Sequence, residues 1–134
     1  MNGNGNGKRN GKWLLDSNII IDYLDKVPAV VRFLDMIEDD MFYVSVITRI
    51  ELMSYPRSTK QSEDAVLEFL SYTEVLPLDV DVETIAIRLR QTTRLKLPDA
   101  IVAASAVAVD AVLITNDQRL ASTNCSGLRT QTVN

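Results

Sequence analysis

Residues 95–117 read LKLPDAIVAASAVAVDAVLITND, and this stretch decides the fold. A run from Pro98 to Val109 with a single charge, Asp99, has the length and composition of a buried helix. Pro98 and Asp99 fall in its first turn, where proline loses no hydrogen bond and a carboxylate meets the positive end of the helix dipole. The run AVLIT at 111–115 follows at once as a short strand apolar on both faces, the signature of a parallel sheet covered by helices. Asp117 lies two residues beyond it. One carboxylate at a helix mouth is ordinary; the question is whether other acids converge on the same place.

Working outward, strands and helices alternate. KWLLD ends a first strand in Asp16, and SNIIIDYLDK turns helical with Ser17 as its cap. VPAVVRFLDMIEDD continues after Pro28 as a second helix, with apolar positions at 30, 31, 34 and 37. MFYVSVIT, β-branched and aromatic, predicts a strand from 41 to Thr48. TRIELMSY predicts a short helix ending near Pro56, and SEDAVLEFLSYT an amphipathic helix capped by Ser62. VLPLD is a brief third strand, VDVETIAIRLRQTTRL a helix from about Asp81, DQRLAST a short helix, and LRTQTV a last edge strand. Such alternation predicts an α/β three-layer sandwich on a mostly parallel sheet of four to five strands. Neither a repeat nor an internal linker interrupts it. The Asn/Gly-rich residues 1–11 are expected to form a disordered tail, leaving 12–134 as a single domain.

Composition narrows the chemistry. The 134 residues are 46% hydrophobic, enough for a core, and no apolar run reaches the length of a membrane span. With no signal-peptide core either, a cytoplasmic protein is expected. The chain has no histidine, which excludes Ser-His-Asp triads and His-ligated zinc, and its one cysteine allows no internal disulfide. No phosphate-binding glycine loop appears. Carboxylate is abundant: 18 Asp and Glu against 14 Lys and Arg. Oxygen ligands of this kind suit Mg²⁺ or Mn²⁺.

Ligands bind an open α/β sheet beyond the carboxyl ends of its strands. Asp16 closes the first strand, Glu51 lies three residues past Thr48, and Asp117 follows the fourth strand. Asp99 opens the helix before that strand, and a helix in segment 79–98 can carry the chain back to bring it to the same edge. Each acid also has a structural explanation. Asp16 and Asp117 can cap helices, Thr48 and Glu51 fit a T-x-x-E capping box, and Asp99 suits the dipole. Four together without a cation in sequence reach repel one another, and a divalent ion relieves that. Three or four carboxylates can hold one or two Mg²⁺ ions and hydrolyse a phosphodiester with no histidine base.

LLDSNIIIDYL, SVITRIELM, KLPDAIVAASA and VLITND resemble, in order, the acidic motifs of PIN-domain ribonucleases, and more narrowly of VapC-type toxins of toxin–antitoxin pairs. The resemblance runs from about Lys12 onward. It implies a Mg²⁺- or Mn²⁺-dependent endoribonuclease, an RNA substrate, a homodimer, and an antitoxin whose C-terminal segment enters the active-site groove. By position it implies Asp16, Glu51, Asp99 and Asp117 as the catalytic, metal-binding set, with Asp16 and Asp99 central. Glu51 then shapes the site or holds metal through water, and Asp117 serves a second ion or the attacking water. Asn18 and Thr115 match positions that support the acids by hydrogen bonds. Candidate RNA contacts are Arg49, Arg57, Lys60, Arg88, Arg90, Arg94 and Lys96; most of these equally suit a solvated helix face.

The rival readings are a phosphoryl-receiving domain, a dehalogenase-like phosphatase, and a non-catalytic PIN-like module that binds RNA or protein. LLDSN lacks the paired acid of the first and has Asn18 where the second needs Asp. LITND offers no lysine.

Overall fold

In the computed structural model, which describes residues 11–55 and 59–134, five parallel strands form one sheet in the order β3-β2-β1-β4-β5. The strands are β1 (Lys12–Leu15), β2 (Met41–Ser45), β3 (Glu74–Leu76), β4 (Val112–Ile114) and β5 (Arg129–Gln131). The helices are α1 (Ser17–Leu24), α2 (Pro28–Met36), α3 (Val46–Ser54), α4 (Lys60–Ser71), α5 (Val80–Thr92), α6 (Leu97–Val109) and α7 (Gln118–Ala121). The expected tail residues 1–10, and Arg57, lie outside the described residues. Gly11 already belongs to the sheet's margin, its carbonyl accepting from Met41 N at 3.0 Å.

Successive strand residues part to opposite faces, as the pleat requires. Leu14, Tyr43 and Leu113 join one core with Val82, Ala86 and Leu89 of α5 and the buried side of α6. Leu15, Val44 and Ile114 join the other with Ile19, Ile20, Val30, Leu34, Leu52 and Val66 from α1 to α4. The sheet is therefore covered on both faces, which makes the fold a three-layer sandwich.

Helix α6 is the fold's central element. Ala100 to Ala106 are all buried, a helix enclosed on every side rather than half exposed. Its small side chains let it lie close to the sheet and α5. Ser105 would be a buried orphan, but its hydroxyl donates to Ile101 O at 2.8 Å. The helix ends in a Schellman motif: Asp110 takes φ +58°, and Asp110 N and Ala111 N bond to Val107 O and Ala106 O. Arg129 secures this turn, donating to both Asp110 O and Asp110 Oδ1. Lys12 Nζ reaches Val109 O at 3.3 Å, so α6 ends beside the start of β1 and runs antiparallel to it. Its opening residues therefore lie toward the strands' carboxyl ends.

Several expected boundaries move. β2 stops at Ser45, not Thr48, because Ser45 Oγ accepts from Ile47 N at 3.1 Å and caps α3. Helical spacing puts Thr48 and Leu52 in the core and overrides the strand preference of the β-branched run. The T-x-x-E capping box is thus absent: Thr48 lies inside the helix and its buried hydroxyl has no partner. Asp16, not Ser17, caps α1, and Thr59, not Ser62, caps α4. Asp79 caps α5, directly after Pro77 has ended β3.

Candidate active site

The site begins at the carboxyl end of β1. Asp16 still pairs with the sheet through its backbone, donating N–H to Ile114 O, while its side chain caps α1. It is 7% exposed, deep for a carboxylate. Three donors hold it. Ser17 N reaches Oδ1 at 2.9 Å; Asn18 Nδ2 and Thr115 Oγ1 reach Oδ2 at 2.9 and 2.7 Å. Thr115, fully buried just past β4, also accepts from Asp117 N at 3.1 Å. One hydroxyl thus ties the loop carrying Asp117 to the side chain of Asp16.

Asp117 caps α7, accepting through Oδ1 from Arg119 N and Leu120 N. Glu51 stands in the second turn of α3, and the Ser17 side chain acts to lower its pKa. Asp99 is half-buried in the first turn of α6. Four separate elements deliver these acids, and their charges are mutually felt. Burial pushes the Asp16 carboxyl above its ordinary value against the pull of its three donors, and Asp117 adds to the push. Glu51 rises through lost hydration, then through Asp16 and Asp99. Asp99 rises through lost hydration, then through Asp117 and Asp16, with Arg119 and Lys96 pulling it down. Among the described residues the ion pairs are Lys60–Asp64 and Arg129–Asp110, both exposed, and neither touches these four acids.

The acids do not converge tightly as they stand. Among the described residues no three Asp, Glu or Cys side chains lie close enough to hold one metal ion. The chemistry of the donor set nevertheless fits a hard divalent cation: all oxygen, partly dehydrated, mutually repelling and without a paired cation. Asp16 is fixed, whereas Glu51, Asp99 and Asp117 are more open to solvent.

The cationic candidates separate. Lys96, which immediately precedes α6, acts on Asp99. Arg90 is occupied in the α5–α6 turn, donating to Leu95 O at 2.9 Å, and Lys60 pairs with Asp64. Arg49, Arg88 and Arg94 are exposed. Sequence reasoning missed Arg119, the larger cationic influence on Asp99, and the effect of the Ser17 side chain on Glu51. The signal for Arg119 was available: it is a cation two residues after an acid that follows a strand.

The PIN domain family model matches residues 13–124, most of the chain and the whole stretch that carries the four acids. The chain belongs to the PIN domain family. Membership removes the phosphoryl-receiving and dehalogenase-like alternatives. No curated protein matches this PIN domain in sequence. Among solved structures it is similar to a toxin–antitoxin complex from Klebsiella pneumoniae, at 28% identity and TM-score 0.74, covering 86% of this chain and 93% of that one. It is similar in fold to VapBC2 from Rickettsia felis bound to a promoter DNA fragment, at 20% identity and TM-score 0.77, covering 92% and 99%. DNA-bound VapBC from Salmonella typhimurium compares at 22% identity and TM-score 0.76, covering 91% and 98%. No helix among the described residues of the PIN domain is long and apolar enough to cross a membrane.

Proposed function

We propose that this PIN domain is a Mg²⁺- or Mn²⁺-dependent endoribonuclease of the VapC type, the toxin of a toxin–antitoxin pair. One observation carries the reading: four elements bring Asp16, Glu51, Asp99 and Asp117 to where lost hydration, and then their mutual repulsion, raises three of their pKa values, with no ion pair among the described residues to relieve it. Asp16, held by Ser17, Asn18 and Thr115, is the fixed ligand. Asp99 would be the second central one, with Glu51 and Asp117 completing the set for one or two ions. When bound, the metal lowers the pKa of water and neutralises phosphodiester charge, chemistry that otherwise wants a histidine this chain lacks. Arg119 and Lys96, beside Asp99, supply positive potential for the RNA backbone.

An antitoxin partner is supported by the 28% identical Klebsiella pneumoniae structure, a toxin–antitoxin complex. A homodimer is supported by the exposed apolar residues Leu78 before α5, Val80 and Ile87 on α5, and Leu97 at the start of α6. Acting on RNA, the protein would work in the cytoplasm.

The spread of the carboxylates favours one rival, a PIN-like module that binds RNA or protein without cutting. Cleavage of RNA by wild type and Asp99→Asn, with Mg²⁺, Mn²⁺ or EDTA, separates the two. The nuclease reading expects metal-dependent cleavage that falls about 100-fold or more in the variant, the scale of losing a major electrostatic group. Equal products in all lanes, or none in any, contradict it.

A further inference from the structure

Asn116 immediately precedes Asp117 in the loop after β4, and every polar atom of its side chain is engaged. Its Oδ1 accepts from Val133 N at 2.8 Å and its Nδ2 donates to Val133 O at 2.8 Å. The pair imitates one rung of a β-ladder, with an amide side chain in place of a strand. Val133 itself is buried in the core with Leu15 and Ile114. Beside it, Thr115 N donates to Gln131 O at 3.0 Å, so residues 131 and 133 both grip the loop that follows β4.

The backbone of Asn116 faces the other way. Its N–H donates to Asn18 Oδ1 at 3.1 Å. An amide whose oxygen is so occupied must turn its NH₂ edge elsewhere. For Asn18 that edge meets Asp16 Oδ2 at 2.9 Å and Thr115 Oγ1 at 3.4 Å. A continuous path therefore runs from Val133 through the Asn116 side chain and backbone to Asn18, and from there to the buried carboxylate.

We propose that Asn116 is a positioning residue: its clamp on Val133 fixes the amide orientation of Asn18, and so makes the metal affinity of Asp16 depend on docking of the segment after β5. The inference rests on the metal-dependent reading above. Asn116 touches neither metal nor substrate and acts through Asn18.

Three variants of the full chain test it. Asn116→Ala removes the clamp. Val133→Pro removes the donor to Asn116 Oδ1 from a residue far in sequence from all four acids. Val133→Ala keeps both backbone groups and loses only buried side chain, so it reports loss of stability alone. Mn²⁺ affinity is measured by electron paramagnetic resonance at a temperature where circular dichroism shows every variant folded. Asn116→Ala and Val133→Pro are expected to weaken Mn²⁺ by about tenfold, the lower end for partners beyond the direct ligands, while Val133→Ala melts lower and binds as wild type does. Wild-type affinity in Asn116→Ala, or weakening that tracks melting temperature in all three, overturns the proposal and leaves the nuclease reading intact. A wild-type chain that binds no Mn²⁺ overturns both.

Discussion

At the scale of single residues, Thr48 and Glu51 show how a familiar pattern can mislead. T-x-x-E at a helix start suggests mutual capping, but Ser45 already caps α3 and leaves the Thr48 hydroxyl buried with no partner. Thr48→Val should therefore raise stability by about 1 kcal/mol, the cost of one unsatisfied hydroxyl, in urea denaturation. A capping role would make the same change cost about 1 kcal/mol, the opposite sign. Without that box, capping does not explain Glu51 in α3. Asp16 and Asp117 give a different lesson, since each caps a helix and also faces the other acids, so structural and chemical uses coexist.

The same residues give metal-free stability a defined pH dependence. Asp16, Glu51 and Asp99 bind protons more tightly folded than unfolded, so stability falls as pH rises through the interval between their ordinary and raised values. In EDTA, wild type should gain stability as pH drops through that interval. The gain ends below the ordinary values of 3.8 for Asp and 4.5 for Glu. Asp99→Asn should lose part of this slope and melt higher than wild type at neutral pH without metal. Parallel melting curves against pH for the two proteins would remove the repulsion from the account. Mg²⁺ should raise the wild-type melting temperature at neutral pH, as a ligand of the native state must.

At the scale of elements, the turn between α1 and α2 holds Lys26 at φ +61°, with Val27 N bonded to Asp22 O in a second Schellman closure. Pro28 then opens α2. A side chain in the left-handed region is strained where glycine is not, so Lys26→Gly should stabilise the protein by up to about 1 kcal/mol in thermal melts. A lower melting temperature would mean that Lys26 makes a contact worth more than that strain. Helices and strands were legible in sequence wherever periodicity and caps agreed, as across Pro28 and from Pro98 to Val109. The β-branched run at 46–48 was not, because its helical state depends on the Ser45 cap and on core positions that only tertiary packing defines. The start of α4 slipped for a similar reason, since Thr59 and Ser62 are equally good caps in isolation.

At the scale of the whole molecule, the parallel order of the sheet followed from strand–helix alternation and the apolar strands. That Asp99 lies toward the carboxyl ends of the strands required the chain between β3 and β4 to hold two helices, which segment 79–98 had room for. What sequence could not show was distance. It placed four acids toward one edge, but did not show that they stand apart, nor that Asn116 and Val133 lock the loop after β4. The surroundings of the cations were hidden for the same reason, since Arg90 and Lys60 are engaged locally.

The central claim is that these four carboxylates share a divalent cation. A crystal of the full chain soaked in Mn²⁺ tests it directly through anomalous scattering. The account predicts a peak within bonding distance of Asp16 and Asp99, with Glu51 and Asp117 turned toward it. Ordered carboxylates with no peak among them, or Mn²⁺ bound only elsewhere, would contradict it.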